Sequence, residues 1–600
     1  MIRPRWADAL AQRERLSEVD RKLVRLLARL PWLSADLAAP LLGCSEGYTR
    51  RRLAGLRGAG LVGSLRPTLQ PPDATALHYL TNLGLAVLAL ELALDVRDLA
   101  RRLRLDRHGL LARAPDLRHR LAAYELLAAV TASRPGPPTL LAWLQPWRGQ
   151  LRVPGVRGSA RVQVPAYAAL ACDEGCAEVW LVPDLATFPL AVYRRLVDRL
   201  LLWSRVRRVT PTLVVATPTP ARAHLWQTAL AEARARRHAR PLPTLVTTWD
   251  ELAEDPAVLR DLPLRPPADA AGLTQWIQGQ PLDLPAPSHR VCILVGDRLV
   301  EQAPRSARAR LGRLALTLAP QDYALLDVVA HHPFLTAEDL ALLMGWVSRW
   351  TRQRIARLER RGLLRKLTAA EVAEEQAARG LLEATHDGLA LVASRRGLPL
   401  SSALAIEGLV GGGPERPVRL RAKLVQILDH TLGVNRFFLN VYRTALYRRR
   451  RCHDDALVEW RNAAACATRV IRPDGYGVYR CDGRVFGFFL EYDRGTMKRR
   501  QYWRKFSAYH TYLERQGFER DYQGMPTILV VTTTERAEVC ILQALRQVGT
   551  TRDARLPVLV TRQWRLDDPR RSDGMLAPIW RAADSDIDTS CLPWLPASSR

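Results

Sequence analysis

Lysine is nearly missing: only five of the 89 basic residues are lysine, and the rest are arginine. Cysteine is sparse and odd in number, nine in 600 residues, which does not fit a disulfide framework. Cys172 and Cys176 are close, but no second pair with zinc-site spacing accompanies them. They read as reduced packing residues. Long apolar runs are absent too. The most apolar helical stretch, Leu83–Leu94, is short and contains Glu91, so it cannot span a bilayer. The start, MIRPRWADALAQRERL, lacks the apolar core of a signal peptide, so a cytoplasmic protein without membrane partners is expected. Neither a phosphate-cradling G-x-x-x-x-G-K-[S/T] loop nor a His-hydrophobe-His cluster occurs, and ATP-driven unwinding is unsupported.

What is present is a large, packed and basic chain. Six hundred residues is too long for one core, and 48% hydrophobic with 25% charged residues belongs to globular protein. The net charge of +29 divides into +14 over residues 1–300 and +15 over 301–600, so it is not a detachable tail. Such a field favours polyanions, nucleic acid before anionic membrane. Arginine-heavy coding would also produce it without any partner.

The chain repeats itself. Residues 31–61 and 333–363 align without a gap at an offset of 302, with identities that include Pro31/Pro333, Gly43/Gly345, Thr49/Thr351, Arg52/Arg354 and Gly60/Gly362. Each copy reads as three short helices and a hairpin, the order of a winged helix-turn-helix. Leu23, Leu26, Leu27 and Leu30 recur at helical spacing, Ser34 and Ser45 can cap the next two helices, and Gly60 ends the third. A third helix of this kind enters the major groove. It carries Arg50, Arg51 and Arg52 in one copy and Arg349, Arg352 and Arg354 in the other, all candidate DNA contacts. Arginines there also cover cores with their stems, and many winged helices bind protein instead.

The repeat continues downstream at offsets of 309 to 315: Trp180–Asp184 with Phe489–Asp493, Pro211–Val215 with Pro526–Val530, and Pro243–Thr247 with Pro557–Thr561. The expected architecture is therefore a multidomain α/β chain with an internal duplication. It places a winged helix at 15–95, an α/β domain at 110–290, a second winged helix at 320–395 and a second α/β domain at 415–600. Pro-rich connectors are expected around 262–286 and 398–417. The short apolar strands suit a mixed sheet flanked by helices.

Candidate chemistry lies in the second α/β domain. Cys481–Arg484 is a hairpin turn, Glu491 and Asp493 are two apart on one strand and share a face, and Asp474 precedes the partner strand. Tyr502, Lys505 and Tyr509 share one face of the following helix. Three neighbouring carboxylates repel unless a cation neutralises them, and an all-oxygen set suits Mg2+ or Mn2+. Asp474, Glu491 and Asp493 are thus the expected metal ligands and Lys505 the phosphate- or water-orienting group. A solvated acidic edge with Lys505 as a surface partner is the alternative. Arg448, Arg449, Lys498, Arg499 and Arg504 flank the patch and would make a basic rim.

The stretch RPDG, then FFLEYDRGTM, then a helix with Lys505 and Tyr509, resembles the replication-relaxation family of plasmids and other mobile elements, in which winged-helix elements are joined to an α/β domain. The domain also resembles the PD-(D/E)xK restriction-endonuclease-like superfamily. That resemblance implies Pro473-Asp474 as the first acid and Glu491 as the second. Asp493 stands where the pattern has lysine, so Lys505 would substitute from the next helix. Glu459, read on the preceding helix beside Trp460, would match an upstream acid, and His430 and Asn435 fall in a helix where the family carries polar residues. Tyr502 and Tyr509 remain possible accessory groups. At the aligned positions of the first domain stand Ala166, Val182 and Leu196, with only Asp184 retained, so that copy is expected to be inert. Two functions stay open: metal-dependent nicking or cleavage of double-stranded or branched DNA, and a non-catalytic replication or relaxation factor. Replication or mobilisation proteins are the implied partners. A toxin or defence nuclease is a third, weaker reading.

Overall fold

The structure is a computed structural model. It describes residues 6–68, 75–134, 136, 138–144, 150–152, 161–163, 166–172, 175–186, 196–198, 200–201, 204, 211–237, 242–259, 306–396, 400, 404, 409, 411–412, 428–451, 453–468, 470–481, 483–518, 522, 524–549, 556–568, 573–583, 590 and 592. The 262–286 connector, most of 398–417 and the side chains of Cys172 and Cys176 lie outside the described residues. The chain divides into two compact units, residues 1–320 with 393–399, and residues 321–392 with 400–600. Each unit pairs a small helical module with a larger mixed sheet.

In the first unit the module comprises helices Glu18–Arg29, Ala35–Leu42 and Glu46–Gly58, then the antiparallel hairpin β1 (Val62–Leu65) and β2 (Leu77–Leu80). Its counterpart in the second unit comprises Pro320–His331, Ala337–Met344 and Ser348–Arg360. Ser17, Ser45 and Thr336 cap their helices with side-chain oxygens. Gly43 and Gly345 end the second helix of each copy at φ 64° and 65°, a left-handed cap that glycine adopts without strain. The resemblance extends to oddities. Trp32 and Phe334, neither of them glycine, hold φ of 75° and 70° at matching places. Gly84 and Gly388 sit where an added Cβ would lie 2.2 Å from the carbonyl oxygen of Leu61 or Leu363. A side chain there cannot be accommodated in either copy.

The larger domain of the first unit has a five-stranded sheet of β3 (Thr139–Leu144), β6 (Tyr167–Cys172), β7 (Gly175–Pro183), β8 (Thr212–Thr217) and β9 (Thr244–Thr248), in that order. Strands β4 (Gln150–Arg152) and β5 (Arg161–Gln163) form a separate ribbon. In the second unit β10 (Leu364–Lys366), β11 (Leu382–Thr385) and β12 (Gly411–Gly412) form the module's three-stranded sheet. A six-stranded sheet follows: β13 (Ala456–Asn462), β14 (Gly475–Cys481), β15 (Arg484–Asp493), β16 (Thr527–Thr532), β17 (Val558–Arg562) and β18 (Arg581–Ala582), again in sequence order. Both sheets open with an antiparallel meander of three strands and continue with parallel pairs, β7·β8·β9 and β15·β16·β17. The duplication is therefore one of topology as well as sequence.

Each module is tied to its sheet domain in the same way. Tyr124 Oη donates to the Pro31 carbonyl at 3.1 Å, and Asn435 Nδ2 donates to the Pro333 carbonyl at 2.8 Å. The donors sit at equivalent places on the long helices Leu117–Ala132 and Leu428–Arg449. Helix Ala307–Thr317 precedes the second module in the chain yet belongs to the first unit, where Thr68 Oγ1 donates to the Leu318 carbonyl at 2.6 Å. No described helix is long and apolar enough to cross a membrane; Asn82–Glu91 instead pairs Glu91 with Arg21 at 3.2 Å.

β15 shows how the second sheet is built. Phe488, Leu490 and Tyr492 face a core shared with Phe437, Phe438 and Val441 of the Leu428–Arg449 helix. The alternate face carries Phe489, packed with Tyr502, Phe506 and Tyr509 of helix Arg499–Glu514. Period-two alternation therefore delivers Glu491 and Asp493 beneath that second helix, both buried.

Candidate functional site

Asp474 immediately precedes β14, and its own N–H donates to the Leu490 carbonyl at 2.9 Å, which clamps the loop onto β15. Its Oδ2 accepts the Tyr492 N–H at 2.8 Å and lies 3.2 Å from His430 Nε2 and 3.9 Å from Lys505 Nζ. Lys505 also forms an ion pair with Glu491 Oε2, while Tyr509 Oη donates to Glu491 Oε1 at 2.5 Å. One ammonium thus joins two carboxylates delivered by neighbouring strands. The i, i+4 step from Lys505 to Tyr509 puts both on one helix face over Glu491.

The two acids are driven in opposite directions. Burial pushes the Glu491 carboxyl up to about 8, against the pull of Lys505 and the Tyr509 hydroxyl. Burial also opposes ionisation of Asp474, but Lys505, His430 and the Tyr492 N–H outweigh it and hold that carboxyl below its ordinary value. Lys505 is raised: burial acts against its charge and is overcome by Glu491 and Asp474. Paired carboxyls with separated proton affinities are the arrangement that allows one to hold a proton while the other stays ionised. The Cys466 thiol is pushed up to about 12, chiefly by burial and then by the two acids, so it is no nucleophile.

Several expected residues do other work. Asp493 shares the strand face, but its Oδ2 accepts from Gly495 N–H, Tyr502 Oη and Thr532 Oγ1, each at 2.9 Å. It pins the end of β15 to its neighbours, and Tyr502 is spent on it. The first unit keeps the same device: Asp184 accepts from Ala186 N–H at 2.8 Å, Arg222 Nε at 2.7 Å and Trp226 Nε1 at 2.8 Å. Retention of this aspartate in both copies is therefore structural. The expected three-carboxylate seat is not built, and among the described residues no three His, Cys, Asp or Glu side chains form a metal-holding group. Glu459 lies on strand β13, not on a helix, and pairs with Arg461 at 2.5 Å.

The arginines divide by burial. Arg52 Nε bonds Asp20 Oδ1 at 2.9 Å, and Arg354 Nη1 bonds Asp322 Oδ1 at 2.6 Å. Both aspartates are buried on the first helix of their module, so these arginines fasten helix to helix and are not free for DNA. Arg448 is buried against Asp455 at 2.8 Å, where Tyr479 Oη also donates at 2.7 Å; it too is internal. Arg51, Arg349, Arg449, Lys498 and Arg504 are exposed. Arg50, Arg352 and Arg499 are exposed with surface partners in Glu46, Glu338 and Gln547. The pairs Asp20/Asp322 and Arg52/Arg354 obey the repeat offset, a signal present in the sequence just upstream of the aligned window.

In the first unit the trio is replaced by packing. Ala166, Val182 and Leu196 are all buried, and Leu200 fills the place of Tyr509. His119, counterpart of His430, is buried and pushed down to about 4 by that burial.

No curated protein and no solved structure matches this chain. The family model described as replication-relaxation matches residues 24–200 and again residues 326–528, together more than half of the sequence, each match running from a helical module into its sheet domain. The chain therefore belongs to the replication-relaxation family and contains that family's unit twice.

Proposed function

We propose that this chain is a DNA-binding protein acting in replication or relaxation of a mobile element, and that its C-terminal repeat nicks or cleaves DNA with Mg2+ or Mn2+. The supporting observation is the Lys505 bridge between Asp474 and Glu491, two buried carboxylates of opposed proton affinity, in one repeat and not the other. The order helix, three-strand meander, helix, parallel strand, with one acid before the second strand and one on the third, fits a PD-(D/E)xK-like reading.

The donor set suits a hydrated divalent ion, since Mg2+ is commonly held by one or two carboxylates with water and substrate phosphate completing the shell. Asp474 and Glu491 would hold it. When bound it would supply charge for the phosphodiester and acidify a water. Lys505 neutralises the acids and orients the phosphate, Tyr509 fixes the Glu491 rotamer, and His430 at the mouth holds Asp474. Exposed Arg50, Arg51, Arg349 and Arg352 on the modules, read as winged helices, contact phosphates, as do Arg449, Lys498, Arg499 and Arg504. Replication or mobilisation proteins are the partners that this role implies.

A non-catalytic binding factor is favoured by one observation: Lys505 already neutralises the acid pair from within the chain. Cleavage of supercoiled, linear and branched DNA with Mg2+ or Mn2+, compared between wild type and Glu491→Gln, decides. Nicking lost in the variant supports the enzyme. Inactivity of both on every substrate, with DNA binding intact, supports the factor.

A further inference from the structure

At the carboxyl ends of the parallel strands Asp493 and Thr532 pin β15, but the cluster beyond them at the end of β17 has no assigned role. Asp493, Thr532 and Arg562 are register partners across β15, β16 and β17, so they stand side by side along that edge. Adjacent strands are about 4.8 Å apart, which puts Arg562 roughly 10 Å along the edge from Asp493. Just beyond Arg562 lies Trp564, 53% exposed, a large apolar ring left in solvent. The Arg562 guanidinium lies 5.4 Å from the ring centroid and that of Arg565 lies 5.6 Å from it. Neither guanidinium is loose. Buried Glu538 takes Arg565 at 2.7 Å through Oε1, and Arg562 at 3.0 Å and Arg581 at 3.7 Å through Oε2. Arg562 also reaches Glu535 at 3.3 Å. The charge is fixed before any ligand arrives, and the arginines hold the indole.

The duplication isolates this feature. At the end of β9, the counterpart of β17, stand Thr248, Asp250 and Glu251 where the second copy has Arg562, Trp564 and Arg565. There Thr248 and Glu251 form a reciprocal cap of the helix Trp249–Glu254, a purely structural use of the same turn. The arginine–tryptophan cluster and the Asp474–Glu491–Lys505 trio thus occur in the same repeat and are both missing from its twin.

We propose that Trp564, with Arg562 and Arg565, is a stacking platform for an unpaired DNA base, so that the strand engaged at the acid–lysine site is single-stranded or melted beside it. The inference rests on the DNA-binding reading above and adds the substrate class. An indole offers a face to any base, and base–aromatic stacking of this kind is sequence-tolerant; the guanidiniums, paired with Glu538, hold the ring in place for it. The separation of roughly 10 Å along the sheet edge amounts to one or two nucleotides of extended strand.

The test is fluorescence anisotropy with a labelled oligothymidylate and a labelled duplex at fixed salt, for full-length wild type, Trp564→Ala and Trp564→Phe. Trp564→Ala should weaken single-strand binding about tenfold or more while duplex affinity stays within about twofold, and Trp564→Phe should recover most of the loss. An unchanged single-strand affinity, or an equal loss on both DNAs, overturns the proposal. Binding is read on wild type and the Trp564 variants without divalent cation and without any cleavage readout, so a chain that proves unable to cut DNA would not by itself remove the platform.

Discussion

Ionisation of Glu491 should destabilise the second unit as pH rises, and replacing it with glutamine should abolish that dependence. The carboxyl's folded value near 8 lies above its ordinary 4.5, because burial disfavours the anion. The folded state therefore holds a proton that the unfolded chain releases between those limits. The associated stability is fully present below about pH 4.5 and is lost as pH climbs through about 8. Between pH 5 and pH 9 the expected loss is roughly 4 kcal/mol, an upper value because Lys505 can follow the charge. Glutamine keeps an oxygen for the Tyr509 hydroxyl and does not ionise. The assay is hydrogen exchange of the β15 amides in wild type and Glu491→Gln at matched pH values after correction for intrinsic rates. Protection in wild type should fall relative to the variant as pH rises. A wild-type-minus-variant difference that is flat with pH would refute the reasoning. In the proposed enzyme the same proton must leave when a cation binds, so Mn2+ affinity should increase with pH up to about 8 and binding should release protons.

Four further outcomes follow from the packing. Arg354→Ala strands the buried Asp322 with only Arg357 at 3.9 Å and should cost about 3 kcal/mol in urea unfolding of the second unit. Arg352→Ala should change stability by less than about 0.5 kcal/mol and lower the salt slope of DNA binding by about one. Gly312→Ala would put a methyl 1.6 Å from the Leu111 carbonyl oxygen, so helix Ala307–Thr317 should detach, read as new protease cleavage near it. Asp493→Ala removes the acceptor of two buried hydroxyls and should lower thermal stability by a few kcal/mol, as should Asp184→Ala in the first unit.

The helices, the hairpins and the parallel strands were legible because periodicity, caps and a gap-free repeat all agreed. The acid–lysine trio was legible because strand alternation and helical spacing place side chains on faces. What spacing does not reveal is which partner an arginine takes: Arg52 and Arg448 look like their exposed neighbours Arg51 and Arg449 in sequence, and only the fold brings Asp20 and Asp455 against them. Asp493 looked like a ligand because a face assignment says nothing of saturation by three donors. β13 was hidden by its edge position, where six of its seven residues are half-buried polar and apolar types without a clean pattern. The Glu538 cluster draws on the Glu535–Gly549 helix and three separate strands or turns, so no local window contained it.

The helix Ala307–Thr317 has a practical consequence. It stands in chain order where Trp6–Arg15 stands in the first repeat, yet it is housed in the first unit. A scission made at the apparent boundary near residue 300 would strip the leading half of one of its own walls and give the trailing half a foreign appendage. Fragments meant to be expressed separately should be parted after Pro320, which keeps the Leu318 carbonyl with Thr68, and the trailing fragment still carries residues 393–399, which belong to the first unit.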